Sequence, residues 1–303
     1  MNEPQNRRVA VIGLGAMGGA MAATLHRAGW SVTGFDPSEA ARKAAEATGI
    51  TTTDSLAAVA GTPYAVLSLP AASMVETTVP QLLADPGTVA IIDTTTSEPA
   101  TSQHMARLAE SGGAAFVDAP VSGGRDGAAT GTLSAFVGAT YAALNAAEPV
   151  LLALTSGNYS HIGGPGSGNV VKLLNNVLAA ANLASVGEAL GVAKAYGIDP
   201  ATAAASISGA SGGSKVSATM YPTWVLSGTH DSGFSMGLMA RDAALAVDVA
   251  EQIGEKPELL AAVASQWQDA LAALGPTADF TEIARTVAPA ITPAGAPASN
   301  PAA

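Results

Sequence analysis

The run Gly13-Leu14-Gly15-Ala16-Met17-Gly18 has the spacing G-x-G-x-x-G. Between a strand and a helix, that spacing binds the pyrophosphate of a dinucleotide. Gly13 permits the tight turn, Gly15 lets backbone approach the phosphates, and Gly18 lets the helix pack close to the strand. The phosphates sit on the helix N-terminus, where unpaired N–H groups and the helix dipole favour negative charge. Asp36 follows 18 residues after Gly18, at the end of a second β-rich run. A carboxylate there suits the adenosine ribose hydroxyls and repels a 2′-phosphate, so NAD is favoured over NADP. No arginine follows until Arg42.

A second group of chemically capable residues opens a long apolar helix, in the run Gly166–Asn176. Lys172, Asn175 and Asn176 stand at i, i+3 and i+4 and share one face. Buried, they demand partners. The cluster fits a polar network that fixes domain orientation. It equally fits a proton-transfer lysine with an asparagine positioning it or the substrate. Burial lowers a lysine pKa toward the range useful for acid–base chemistry. Ser122-Gly123-Gly124 closes the run that starts at Asp118. It is either an ordinary turn or a carboxylate cradle made of the Ser122 hydroxyl and two glycine amides. Arg125 comes next, either as a solvent-exposed loop residue or as the contact for a second anionic or polar substrate group. Arg241-Asp242, early in an apolar helix, reads in isolation as a surface or capping ion pair.

The elements that must position these residues change character midway. Strands are expected at Val9–Gly13, Ser31–Phe35, Tyr64–Leu69, Val89–Asp93 and Ala114–Asp118, with later ones at Leu133–Gly138 and Tyr159–Ile162. Helices at Ala16–Ala28, Ser38–Thr48, Met74–Ala84, Pro99–Ser111 and Tyr141–Leu154 separate them. Such alternation implies βαβ crossovers and a mostly parallel, doubly wound Rossmann sheet. After Gly163 only helical patterns remain: Asn169–Tyr196, Pro200–Ser208, Met236–Ile253, Pro257–Ala273 and Asp279–Val287. The expected organisation is an NAD-binding Rossmann domain over 1–163 and an all-helical substrate and dimerisation domain over 164–288, opened by the interdomain helix. The Ala/Pro/Ser-rich segment 289–303 is expected to be a disordered tail.

Taken in order, these stretches resemble the β-hydroxyacid dehydrogenase family, which includes 3-hydroxyisobutyrate dehydrogenases and 2-hydroxy-3-oxopropionate reductases. The resemblance runs from about Arg8 to Ala288. It is carried by Gly13–Gly18, Asp118–Gly124 with Gly131-Thr132-Leu133, Gly166–Asn176 and Arg241-Asp242. It implies hydride transfer between NAD and a small 3-hydroxy acid or its semialdehyde. Lys172 would be the general acid/base, and Asn176 or Asn175 would orient lysine and substrate. Ser122, Gly123 and Gly124 would hold the substrate carboxylate. Thr96 falls at the family's nicotinamide-side Ser/Thr position, and Leu69-Pro70 would line the cofactor cleft. Arg241 stands where the family usually has lysine near the cofactor; its fork binds carboxylates differently. A homo-dimer or homo-tetramer also follows from the resemblance alone. Imine reduction on the same scaffold is the rival chemistry, and retention of Lys172 argues for alcohols instead. A short 6-phosphogluconate dehydrogenase would need a basic phosphate site, yet the second half has few Arg or Lys. A non-catalytic dinucleotide-binding module would not need Lys172 beside two asparagines.

Composition narrows the classes further. The chain has 303 residues, no cysteine, 48% hydrophobic and 12% charged residues, and a net charge of −11. That length suits one large or two ordinary domains. Hydrophobicity is too high for general disorder, and a disulfide framework is impossible. Without a basic surface, nucleic acid is not an expected partner. Mean hydropathy is +0.31, but the uncharged stretch from Ser55 to Val75 is interrupted by Gly61, Pro63 and Pro70, so no membrane span is expected. Arg7 and Arg8 before an apolar run imitate a signal peptide. The glycines inside that run are better explained by the cofactor motif, which makes the expected location cytoplasmic. His26, His104, His161 and His230 lack ligand spacing and read as helix-surface or loop residues, so no metal is expected.

Overall fold

The apolar and β-branched runs of the first half form strands in the computed structural model, which describes residues 7–292. They are β1 (Arg8–Ile12), β2 (Ser31–Phe35), β3 (Thr51–Thr53), β4 (Tyr64–Leu67), β5 (Ala90–Asp93), β6 (Ala115–Asp118), β7 (Val121–Ser122), β8 (Ser134–Gly138) and β9 (Tyr159–Gly163). Helices α1 (Ala16–Arg27), α2 (Glu39–Glu46), α3 (Ala72–Leu82), α4 (Pro99–Ser111), α5 (Gly124–Thr130) and α6 (Tyr141–Thr155) intervene. The sheet order is β3-β2-β1-β4-β5-β6-β8-β7, with β9 beside β8. The strands from β3 across to β6 pair in parallel, and β8 joins β6 antiparallel. This is the doubly wound order, which places ligand sites beyond the carboxyl ends of the strands.

Central strands are apolar throughout because helices cover both faces. Val9, Val11, Val66, Ile92 and Val117 share one core with Met21 and Leu25 of α1 and Leu151 of α6. The alternate residues Ala10, Ile12, Leu67, Ile91 and Phe116 pack with Val75 and Val79 of α3 and Met105 of α4. Strand alternation thus feeds two cores from one set of strands.

Three short elements escape the sequence pattern: β3, β7 and α5. Gly124 and Gly127 inside α5, and Gly131 after it, disfavour helix. Tertiary contacts override that propensity. Thr24 Oγ1 of α1 donates to the Ala128 carbonyl at 2.6 Å, and the Arg27 guanidinium donates to the Ala129 carbonyl. His161 lies on β9, not on a helix surface or loop; a ring nitrogen sits 2.8 Å from the Ala139 carbonyl.

The second half is helical: α7 (Ser167–Ala195), α8 (Pro200–Ser208), a π-helical run over Val216–Val225, α9 (Met236–Gln252), α10 (Glu258–Leu274), a 3-10 turn over Phe280–Ile283, and α11 (Ala284–Val287). The chain forms two compact units, one ending at Lys172 and one beginning at Leu173, within α7. In the helical unit, Trp267 and Tyr221 are fully buried. Tyr221 donates its hydroxyl proton to the Leu183 carbonyl at 2.6 Å, in space that exists because a Cβ at Gly187 would lie 2.5 Å from that hydroxyl. By length and composition α7 is apolar enough to cross a membrane, but half of that stretch is buried within the protein. The expected tail begins too early: Ile291 is buried in the helical core with Ala288, because a β-branched apolar side chain there finds a place to pack. The rest of that tail, 293–303, lies outside the described residues.

Candidate active site

Every sequence-derived candidate in the first unit, apart from Ser122, Arg125 and Lys172, lies just beyond the carboxyl end of a strand. After β1, Gly13 has φ +91°, and a Cβ there would lie 2.3 Å from the Ser68 carbonyl oxygen. A Cβ at Gly18 would lie 1.8 Å from the Gly13 carbonyl oxygen, so the turn requires glycine at both positions. Gly15 differs, since a Cβ there would meet nothing within 4 Å. No side chain caps α1, and Gly15 and Ala16 are exposed at its start, while Leu14 is buried and Met17 half-buried. Bare helix amides beside an open glycine fit an anion. Asp36, beyond β2, accepts the Leu14 N–H at 2.7 Å and the Ser38 N–H at 2.8 Å. Its carboxylate is thereby aimed at the glycine turn. Arg42 donates to the Asp36 and Pro37 carbonyls at 2.8 and 3.0 Å, beneath the same loop.

The loops after β4 and β5 are tied together. Thr94 donates both N–H and Oγ1 to the Leu67 carbonyl, and the Leu69 N–H donates to Thr95 Oγ1 at 3.1 Å. Leu69 and Thr96 are half-buried and Pro70 is exposed. Asp93, fully buried, anchors the second loop by accepting the Thr95 N–H at 2.9 Å. Burial pushes its carboxyl up to about 7; bonds from Thr95 oppose the rise and nearby Asp118 adds to it.

Beyond β6, the Asp118 carboxylate accepts the N–H groups of Gly166 at 2.7 Å and Asn169 at 3.0 Å. It caps the start of α7. Burial raises this carboxyl to about 6 against those amide bonds. Ser122 is half-buried on β7, while Gly123 (φ +121°) and Gly124 (φ +62°) are exposed. Arg125 is exposed in the first turn of α5. Lys172, one turn into α7, is 9% exposed.

In the helical unit, Asn176 is buried and donates Nδ2 to Asp242 Oδ2 at 2.7 Å. Asn175 is exposed and donates to Asn176 Oδ1 at 3.1 Å. The expected single face therefore splits: residues i+3 and i+4 diverge to opposite sides of residue i, and only the latter turns inward. Arg241 donates Nε and Nη2 to Asp242 Oδ1 at 3.0 and 2.8 Å. The pair is neither a surface pair nor a cap. The Asp242 side chain is 1% exposed, and Ser235 caps α9. A shallow concavity of about 490 Å³ between α8 and the π-helical run holds none of these residues.

Comparison with known proteins bears on the family and the fold. The family model for the NAD binding domain of 6-phosphogluconate dehydrogenase matches residues 8–163. A model for the NAD-binding domain of NADP-dependent 3-hydroxyisobutyrate dehydrogenase matches residues 166–287. The chain is 35% identical over 268 residues to the 2-(hydroxymethyl)glutarate dehydrogenase of Eubacterium barkeri, covering 86% of this chain and 87% of that one. It belongs to the β-hydroxyacid dehydrogenase family. Another member, the 3-hydroxyisobutyrate dehydrogenase of Pseudomonas aeruginosa, is 35% identical over 81% of this chain and 86% of its own. The structure of Mycobacterium tuberculosis 3-hydroxyisobutyrate dehydrogenase with L-serine superposes with a TM-score of 0.84 at 32% identity, covering 92% of this chain and 98% of that one. As a family member, the chain is an NAD(P)-dependent oxidoreductase acting on CH–OH groups, a hydroxyacid dehydrogenase.

Three residues of this β-hydroxyacid dehydrogenase escape sequence reasoning as site-building groups. Asp93 and Asp118 are adjacent in the sheet register, and Asn169 lies a turn before Lys172. The signal for the two aspartates is their place at the ends of successive apolar strands, which by itself is also an ordinary strand terminus.

Proposed function

We propose that this chain interconverts a small 3-hydroxy acid, HOCH2–CH(R)–COO⁻, with its semialdehyde, using NAD in preference to NADP. Buried Lys172, one helical turn before buried Asn176 and in the same unit as the glycine turn, carries this assignment. Support for the substrate class comes from chemistry shared by relatives: 3-hydroxyisobutyrate, L-serine and 2-(hydroxymethyl)glutarate each bear a hydroxymethyl group beside a carboxylate. Arg125, exposed next to Gly124, favours an R group with an anionic or polar end. The residues Gly13 to Gly18, Asp36, Leu69, Pro70 and Thr96 would hold the cofactor, and by the family resemblance Arg241 would contact it as well. When bound, the nicotinamide accepts or returns the hydride.

The chain's own residues supply orientation and a proton. Ser122 Oγ and the amides of Gly123 and Gly124 would hold the carboxylate. In oxidation, neutral Lys172 Nζ takes the hydroxyl proton as the carbinol C–H bond breaks. In reduction, protonated Lys172 returns it to the developing alkoxide. Asn176 is fixed by Asp242, which suits it to orient lysine and substrate, with Asn175 behind it. Asp36, already held by two amides, would receive the ribose hydroxyls and repel a 2′-phosphate. The half-exposed Leu174, Leu178 and Val192 along α7 support a homo-oligomer, checked by light scattering.

The test is NADH formation with 3-hydroxyisobutyrate, serine, glycerate, 2-(hydroxymethyl)glutarate and threonate, with NADP in parallel. At least one acid should turn over, with NAD ahead by about tenfold or more in kcat/KM, and Lys172→Ala should lose about 10³-fold or more. Absence of turnover on every acid, or an unimpaired Lys172→Ala, sinks the proposal and leaves imine reduction or a purely binding role.

A further inference from the structure

The first turn of α7 is held from two directions before it reaches Lys172. On one side is Asp118, the last residue of β6, four residues before Ser122; it accepts the N–H groups of Gly166 and Asn169. Space for this carboxylate is reserved by glycine. A Cβ at Gly138 would lie 2.5 Å from it, and one at Gly168 would lie 2.9 Å from it. On the other side is the loop that carries Thr96. Asn169 is fully buried. Its Oδ1 accepts the Ser97 N–H at 2.9 Å, and its Nδ2 donates to Ser102 Oγ at 3.0 Å. Both polar ends of one amide are therefore spent on the β5–α4 segment. All of these residues lie within the first unit.

Helical continuity carries this anchoring to the lysine. Asn169 and Lys172 are three residues apart on α7, so a rotation or shift of the first turn moves Nζ with it. A displacement of about 1 Å at a reacting group can cost on the order of 10²-fold in rate.

We infer that Asn169 is a positioning residue that locks the Thr96 loop to the lysine turn, so that the cofactor-side and proton-transfer groups form one rigid body. It acts through Lys172, touches no reacting atom, and rests on the lysine chemistry proposed above. Mere structural support would alter only how much protein is folded. Positioning alters the rate of each folded molecule.

The experiment compares Asn169→Ala, Asn169→Asp, Lys172→Ala and the double variant Asn169→Ala/Lys172→Ala, using the full chain. Rates are normalised to cofactor-binding sites counted by NADH fluorescence titration. Asn169→Ala should lower kcat by about 10- to 100-fold, while KM and the NADH dissociation constant change less than about threefold. Asn169→Asp keeps an acceptor for the Ser97 N–H and a second oxygen for the Ser102 hydroxyl, so it should recover most of kcat. In the Lys172→Ala background, Asn169→Ala should add little further loss, as for groups that act as a unit. A normalised kcat equal to wild type in Asn169→Ala overturns the inference, as does full additivity in the double variant. If Lys172→Ala is itself unimpaired, the proposed lysine chemistry fails first, and the two failures are distinguished. Should Asn169→Ala not fold, Ser102→Ala removes one of the two anchors and should give a smaller loss of kcat in the same direction; an unchanged kcat there would count against positioning.

Discussion

The two units hold their candidate residues by different means. In the sheet unit, backbone does most of the holding: amides fix Asp36, Asp93 and Asp118, and glycine at 13 and 18 is imposed by contacts with carbonyl oxygens. In the helical unit, side chains hold side chains, in the sequence Asn175 to Asn176 to Asp242 to Arg241. A helix spends its interior amides on itself, so polar residues placed mid-helix must find each other. Strand ends leave backbone groups available to loops and ligands. Substitutions in the first unit should therefore act through shape, and in the second through unpaired polarity.

The sharpest test of the first half of that contrast is Gly18→Ala. The new Cβ would overlap the Gly13 carbonyl, and neither partner is a flexible side chain. A loss of roughly 3–5 kcal/mol in unfolding free energy is expected, measured by urea denaturation; a loss below 1 kcal/mol would show that the turn yields. Asp242→Ala probes the helical unit. It strands the buried Asn176 amide and removes one partner of a guanidinium that is one-third exposed. The expected cost is about 2–4 kcal/mol, while Asp242→Asn, which keeps an acceptor for Asn176, should cost clearly less. Equal losses from both would mean that volume, not polarity, matters at this position.

A smaller effect separates the two buried aspartates from their neighbours through pH. Burial lifts the Asp93 carboxyl from 3.8 to about 7 in the folded protein. The folded state holds its proton more tightly than the unfolded chain. The associated stability is complete below about pH 4 and is lost as pH rises toward 7. Asp118 contributes in the same sense up to about 6. Asp93→Asn should therefore gain on the order of 2 kcal/mol relative to wild type at pH 8, and much less at pH 4. A difference in Tm that is the same at both pH values would refute the assignment. Smallest of all is Gly15→Ala. With open space and φ near −61°, alanine should leave Tm unchanged. It should weaken NADH binding by about tenfold, equivalent to ~1.4 kcal/mol, because the added methyl stands where backbone would meet phosphate.

Much of the molecule was legible because it obeys local rules. The glycine spacing, Asp36 at a strand end and the exact extents of β2, α4 and α8 follow from periodicity and punctuation. Helix α5 and β7 were not legible. Their residues are glycine-rich, and they form because α1 and β8 offer hydrogen-bond partners. The divergence of Asn175 from Asn176 was equally hidden, since their spacing from Lys172 permits either to turn inward.

By itself the sequence determined the parallel α/β half, the helical half, the dinucleotide turn and the placement of a lysine on a long helix, because each depends on neighbours a few residues away. Tertiary structure alone decided that Asp118 caps α7 across 48 residues of chain and that Asn169 grips Ser97 across 72. It also decided that Asp242 is buried by Asn176 instead of exposed with Arg241. Those outcomes turn on which strand ends and helix faces meet, and a buried polar group is satisfied by whatever the fold brings within about 3 Å.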